Sequence, residues 1–515
     1  MYNMVMKNAF DHPPSPLPGK EGGERGRDGG YPQPPTKGAM PLWTPQQPVR
    51  TIQTTGNPEG YLDSEALGTP IALYIHIPFC ETKCPYCDFN TYEGIEPLMP
   101  AYIDALAQEI RLWGAFLTQG QATPLHQPIS TVFFGGGTPS YLPSENIQRL
   151  LDATRAAFSL APDAEVTLES NPGDVTPSRL EMWKAAGINR VSIGVQSLDD
   201  GLLQLLGRRH NAQAARQAYQ NARDAGFNNL NLDLMYGLPH QSMDQWRSTL
   251  TETLTLAPEH LSMYCLTLEE GTPLDAWVRL GKVPEPDPDL AADMYLLAEE
   301  LAGDAGYDHY EISNWAMPGR ACRHNLTYWR NQQYLGVGPG AHSYLSGYRF
   351  ATLKSPRQYI QRINQWASEG ATRLLKKESP GRRSPSGGEL GVSPRYTSHP
   401  LPGQEGDRGM VESVFHHPAR PLNLANLQHN GPLDTVDAID APTEMGETMM
   451  MGLRLGQGVS KASFLERFGV GLQEAYGPQI DALEQLGLLE WRQGWLRLTP
   501  RGRLLGNEVF QRFLT

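Results

Sequence analysis

Short apolar runs of β character alternate with longer stretches of helical period through the middle of this chain, and that alternation constrains the fold more than any other feature. Runs at 72–77, 131–134, 165–168, 191–195, 230–234 and 261–268 are rich in Val, Ile, Leu and Phe. Between them, 101–117, 145–158, 178–186, 212–225 and 243–256 space their apolar residues three and four apart. Strands taking turns with helices of that length build βα units and a parallel sheet. About six such units predict an α/β fold, a partial or complete parallel (β/α)6 barrel. In such folds functional groups gather on the loops at the C-terminal ends of the strands.

The chain of 515 residues is long enough for roughly two to four domains. A net charge of -13 argues against a long nucleic-acid-binding surface. Of five cysteines, three share one loop and leave Cys265 and Cys322 far apart in sequence, which is no disulfide framework and fits a reducing cytosol. The first ten residues are interrupted by Asn3, Lys7 and Asn8 and run into Pro and Gly, so neither a signal peptide nor a membrane span is expected. The chain reads as soluble and cytoplasmic.

Residues 1–68 are Pro-, Gly- and charge-rich and predict disorder. Residues 375–440 read as a second low-complexity stretch, an insertion. The run from Pro16 to Gly26 is nearly repeated from Pro400 to Gly409 without apolar periodicity, so the copies are not stacked structural repeats. Met40 stands as an alternative start. The βα series therefore occupies 69–270, a further segment 271–374, and a separate unit 441–515. In that last unit 445–455, 461–468 and 472–486 look helical, 488–498 looks like a hairpin turning near Gln493-Gly494, and 501–513 reads as one closing helix. The pattern is winged-helix-like and, on an acidic chain, is expected to be a packing module rather than a DNA reader.

The loops after the candidate strands carry the chemistry. Cys80-Glu81-Thr82-Lys83-Cys84-Pro85-Tyr86-Cys87 follows the first, placing three thiols in one turn. Three soft ligands suit an iron–sulfur cluster with one iron left open; a zinc ion completed by His76 or Cys265 is the alternative. Gly135-Gly136-Gly137-Thr138 follows the second strand, where glycine permits either close backbone approach to a ligand or an ordinary tight turn. Glu169, Gln196 and Asp233 end the third, fourth and fifth, and Arg208 lies just beyond. Each alone is as readily structural; together they converge on one mouth.

The cysteine spacing, with Tyr86 before the last thiol, resembles the radical S-adenosylmethionine (SAM) superfamily. Further strings resemble the oxygen-independent coproporphyrinogen dehydrogenases and their HemW-type relatives: Tyr74-Ile75-His76-Ile77-Pro78-Phe79-Cys80, Glu169-Ser170-Asn171-Pro172-Gly173, Ser192-Ile193-Gly194-Val195-Gln196-Ser197 and Asp233-Leu234-Met235-Tyr236-Gly237-Leu238-Pro239. The resemblance implies a [4Fe–4S] cluster on Cys80, Cys84 and Cys87 with SAM on its open iron. It makes Tyr74, Tyr86, Gly136, Gly137, Thr138, Glu169, Gln196, Arg208 and Asp233 cofactor-binding positions. The dehydrogenases carry a further cysteine two places after the third; here that place is Phe89. The HemW-type branch instead shows H-N-x-x-Y-W, matched by His324-Asn325-Leu326-Thr327-Tyr328-Trp329. The resemblance thus implies a haem chaperone serving an unidentified acceptor protein. Nucleic acid is not an expected partner, and a membrane is met only transiently through the acceptor. Decarboxylation of coproporphyrinogen III is the alternative. His324 is the candidate haem contact, or else a hydrogen-bonded histidine in a packed loop; His309, His342 and Cys322 are other axial candidates.

Overall fold

The computed structural model describes residues 71–118, 128–377 and 424–514. The 1–68 segment, its near-repeat and Met40 lie outside them. Six strands, β1 (Ile71–Ile77), β2 (Ile129–Gly136), β3 (Leu160–Ser170), β4 (Arg190–Gln196), β5 (Leu230–Tyr236) and β6 (His260–Cys265), pair in sequence order and all run parallel. Parallel strands are covered on both faces and so read as continuous apolar runs, which is why these six stand out in the sequence. The sixth ends three residues earlier than the apolar run suggests, although the Leu266 amide still donates to the Tyr236 carbonyl.

Helices cover the outer face. Met99–Thr118 lays Tyr102, Leu106, Ile110 and Trp113 against Leu73, Ile75 and Ile77, all of them fully buried. Side chains of a strand alternate in direction, so Tyr74 and His76 face the opposite, inner side. The same alternation lines the inside of the curved sheet with Thr131, Glu165, Arg190, Asn231 and His260, a polar interior beneath the mouth.

Short strands extend the sheet at both edges: β7 (Asp308–Glu311), β8 (Asn314–Ala316), β9 (Tyr334–Val337), β10 (His342–Leu345), β11 (Tyr348–Thr352) and β12 (Leu433–Ala438). The order is β12-β11-β10-β9-β1-β2-β3-β4-β5-β6-β8-β7, with β9 parallel to β1. The ladder is open, so the fold is a partial barrel. Residues 424–440, expected to belong to the low-complexity insertion, instead form the helix Ala425–His429 and the edge strand β12, seated by buried Leu424, Leu427 and Leu433. Most of β12 faces solvent, leaving too few apolar residues to mark it in the sequence.

In the C-terminal unit, helices Ala441–Gly452, Lys461–Phe468 and Leu472–Gln485 pack with a small sheet of β13 (Val459–Ser460), β14 (Leu489–Arg492) and β15 (Trp495–Leu498). The hairpin turns on Gln493 and Gly494 with φ of 51° and 84°, the left-handed pair of a type I′ turn. The closing helix expected over 501–513 is broken at Leu505 into Pro500–Leu504, Gly506–Phe510 and a final 3-10 turn. Ion pairs Arg349–Glu447 and Arg503–Glu299 fasten this unit to the sheet and its covering helices.

Candidate functional site

The cysteine loop leaves β1 at the mouth of the barrel and is tied down along its length. The Cys80 amide donates to the Tyr92 carbonyl (2.9 Å) and the Cys87 amide to the Cys84 carbonyl (3.1 Å). Lys83 Nζ spans the loop to the carbonyls of Phe89 (3.2 Å) and Thr91 (3.1 Å). Asn90 Nδ2 latches it to the carbonyls of Pro339 (2.9 Å) and Lys354 (3.0 Å).

Each thiol meets a different polar neighbour. Thr138 Oγ1 lies 3.7 Å from Cys80 Sγ, Arg208 Nη1 is 3.5 Å from Cys84 Sγ, and Thr91 Oγ1 is 3.9 Å from Cys87 Sγ. Burial pushes the Cys80 thiol up and that of Cys87 up to about 11, with the neighbouring Cys84 adding to both and Lys83 opposing. Among the described residues, no three His, Cys, Asp or Glu side chains are gathered around a single ion position. Of the fourth ligands that a zinc site would need, His76 is engaged elsewhere and Cys265 stands on β6, five strands along the sheet from β1. His76 Nε2 donates to the Asn90 carbonyl (3.0 Å) while its Nδ1 accepts from Tyr74 (3.0 Å), and Cys265 ends β6.

The surroundings fit a bulky cofactor on the thiols. Gly137 runs so close that a Cβ there would stand 2.9 Å from Cys80 Sγ. Gly136, with φ of 115°, presses on the His76 ring, where a Cβ would come within 2.6 Å. Arg208 donates to the Gly194 carbonyl (2.8 Å) and keeps a buried Nε without a partner in the structure. Such an orphan is a polar group held ready for something not yet there.

All nine residues expected to hold SAM (Tyr74, Tyr86, Gly136, Gly137, Thr138, Glu169, Gln196, Arg208 and Asp233) are half-buried. They come from the ends of five different strands and the turns that follow. Glu169 accepts the Gly136 amide (3.2 Å), and burial with nearby Asp233 pushes its carboxyl up to about 7. Asp233 is likewise raised by burial, against bonds from Ser192 (3.1 Å) and Asn231 (2.7 Å). Gln196 adopts φ of 66°, where β4 slips register against β5, and its Nε2 and Arg208 Nη2 both lie beside Gly194. Glu169 and Asp233 stand near each other and Arg208 stands against Cys84, so the strand ends offer groups of both charges to a ligand.

His324 is elsewhere. It opens the helix Arg323–Trp329, which sits under the N-terminal ends of β2 and β3, opposite the cysteines. Its Nδ1 meets Thr131 Oγ1 (2.8 Å), its Nε2 meets Tyr328 Oη (2.9 Å), and its ring stacks on Phe133 at 4.9 Å. Burial, with Arg190 nearby, lowers it to about 3, so it stays neutral. Both nitrogens are committed, the hydrogen-bonded arrangement of a histidine in a packed loop. His309 lies flat on Trp315 at 4.2 Å with Nε2 on the Ile312 carbonyl (3.2 Å), and Cys322 donates to Glu165 (3.4 Å). His342, lowered to about 4 by burial, opens β10. Sequence reasoning missed Lys83, Asn90 and the His76 bridge, which are polar side chains bonding to distant backbone and leave no local signature.

A model of the radical SAM superfamily matches residues 74–252, and one of the HemN C-terminal domain matches 439–505. The haem chaperone HemW of Bacillus subtilis (strain 168) is 32% identical over 444 residues, 86% of this chain and 99% of that protein. Its namesake in Escherichia coli (strain K12) is 42% identical over 301 residues, 57% of this chain and 76% of its own. The solved structure of coproporphyrinogen III oxidase (HemN) from Escherichia coli superposes with a TM-score of 0.64, covering 88% of this chain and 92% of its own at 21% identity, which is a likeness of fold. The open parallel barrel, its three-cysteine loop and these end-to-end matches agree: the chain belongs to the HemW family of radical SAM proteins.

Proposed function

We propose that this chain is a cytoplasmic haem chaperone that holds a [4Fe–4S] cluster on Cys80, Cys84 and Cys87, binds exchangeable SAM at the open iron, and passes haem to an acceptor protein. The observation that carries the choice within the family is Phe89. It stands where the dehydrogenase branch has one more cysteine, and it is 36% exposed on the loop. Cluster and SAM together would supply one-electron chemistry. The chain's own residues do the holding. Arg208 offers its guanidinium to the SAM carboxylate, while Glu169, Gln196 and Asp233 face its ribose and its positive charges, which relieve the mutual repulsion of the two carboxylates. Gly136 and Gly137 let the backbone approach the methionine portion. No helix among the described residues is long and apolar enough to cross a membrane. In this reading a membrane is met only transiently, through the acceptor.

Anaerobic reconstitution followed by haem titration tests the reading. The expected result is stoichiometric haem binding under reducing conditions and its transfer to an apo-haemoprotein. Vinyl products from coproporphyrinogen III, SAM and reductant, with no haem bound, would assign the chain to the decarboxylases instead.

A further inference from the structure

The barrel floor contains a run of buried side chains whose hydrogen bonds all point one way. Asn231 Nδ2 donates to Asp233 Oδ1 (2.7 Å) and to Ser192 Oγ (2.7 Å), so its Oδ1 is an acceptor. His260 Nδ1, 2.6 Å from that oxygen, must then carry the proton. That leaves His260 Nε2 to accept from the Tyr310 hydroxyl at 2.8 Å. Burial, with Arg190 beside it, holds His260 well below its ordinary value, so the ring is neutral as this requires. Tyr310 is thereby the first donor of the run. Asn325 of the His-Asn-x-x-Tyr-Trp segment is buried beside it.

We propose that the barrel floor serves the cofactor pocket from beneath: Tyr310 heads a one-way chain of donors through His260 and Asn231 that ends on the Asp233 carboxylate. Tyr310 and His260 are thereby positioning residues. Aligned donors polarise one another, so each strengthens the last bond, the one that fixes and stabilises the ionised Asp233. The His324 end of that segment supports the opposite wall. His324 joins Thr131 and stacks on Phe133, which stacks on Tyr74 at 6.3 Å, and Tyr74 bonds His76 beneath Gly136. Glu165 secures the helix start, accepting from the Arg323 amide, the His324 amide and Cys322. The segment lies at the end of the strands where a barrel invests in stability, while the reactive loops are at the other.

The inference rests on the reading that SAM occupies the pocket, and its test separates the two. Full-length protein, reconstituted anaerobically, is titrated with SAM from pH 6 to 9 while the electron paramagnetic resonance of the reduced cluster is followed. Tyr310→Phe removes one hydroxyl and keeps the ring. It is expected to weaken SAM about fivefold, the worth of one hydrogen bond, and to move the pH midpoint of binding upward because Asp233 ionises less readily. Glu169, Arg190 and Tyr264 also face Asp233 and are unchanged in this variant. Haem titration should be unaltered in this variant. Arg503→Ala, remote from the floor, should lower Tm without moving the midpoint. Wild-type affinity and midpoint, or lost haem binding, in Tyr310→Phe overturns the proposal. Wild-type protein indifferent to SAM refutes the preceding reading instead. The floor is then decided by carbon-13 titration of Asp233, which must move upward in Tyr310→Phe and, if it does not, ends the proposal too.

Discussion

Gly137→Ala asks whether the glycine loop is shaped for the thiols or merely for a turn. An added Cβ would lie 2.7 Å from the Phe79 carbonyl oxygen, 2.9 Å from Cys80 Sγ and 3.0 Å from the Ile77 carbonyl oxygen. Ordinary contact begins at 3.4 Å, so gaps of 0.7 to 0.4 Å must open in three directions at once. Neither carbonyl can yield cheaply, since Ile77 accepts the Gly137 amide (2.7 Å) and Phe79 accepts that of Thr138 (2.9 Å). Overpacking of this kind costs about 1–3 kcal/mol, a loss of a few degrees in Tm. The cluster should suffer more. Displacing Cys80 Sγ by about half an ångström exceeds the ~0.2 Å tolerance of metal–ligand distances. Iron and sulfide per chain after anaerobic reconstitution, measured beside the Tm of the apo-protein, should fall below half of wild type while the fold persists. Full iron content with unchanged Tm would refute the claim that Gly137 is a cradle for Cys80.

Glu109 is buried in the helix Met99–Thr118, and its carboxyl is pushed from 4.5 up to about 7 by burial, against bonds from Tyr359 (2.5 Å), the Gly338 amide (2.8 Å) and Trp113 (3.3 Å). A raised folded-state value stabilises most below pH 4.5 and loses that contribution as pH rises through about 7. Glu109→Gln should therefore flatten the fall of Tm across that window; an identical slope would contradict the assignment. Arg349 pairs with buried Glu447 (2.7 Å) and stacks on Tyr344 at 4.4 Å. Arg349→Ala leaves that carboxylate uncompensated and should cost about 3 kcal/mol in urea unfolding. A loss under about 0.5 kcal/mol would show that the pair behaves as a surface one.

The six parallel strands were legible because Leu73, Ile75 and Ile77, and their counterparts in β2 to β6, form unbroken apolar runs that only a doubly covered sheet needs. The mouth was legible for a related reason, because strand ends point to loops and the loops held Cys80, Gly136, Glu169 and Gln196. What stayed hidden is short or polar. Strands β7 to β12 span three to six residues each and owe their conformation to a neighbour already in place, as β9 does to β1. The floor residues Thr131, Arg190 and His260 sit singly between apolar neighbours and gain meaning only when curvature brings them together. The motif around His324 was visible in the same way, but not the end of the barrel it occupies.

The latch made by Asn90 has a consequence for the order of events during synthesis. Its two carbonyl partners lie 249 and 264 residues further along the chain, and β9, the second neighbour of β1, also emerges late. The cysteines leave the ribosome early but acquire their final setting only after most of the barrel has been made. Contacts that distant close slowly. A cluster offered before residue 354 has emerged would meet an unfastened loop, whose final setting waits for the chain at 334–354 to come back and lock the first strand.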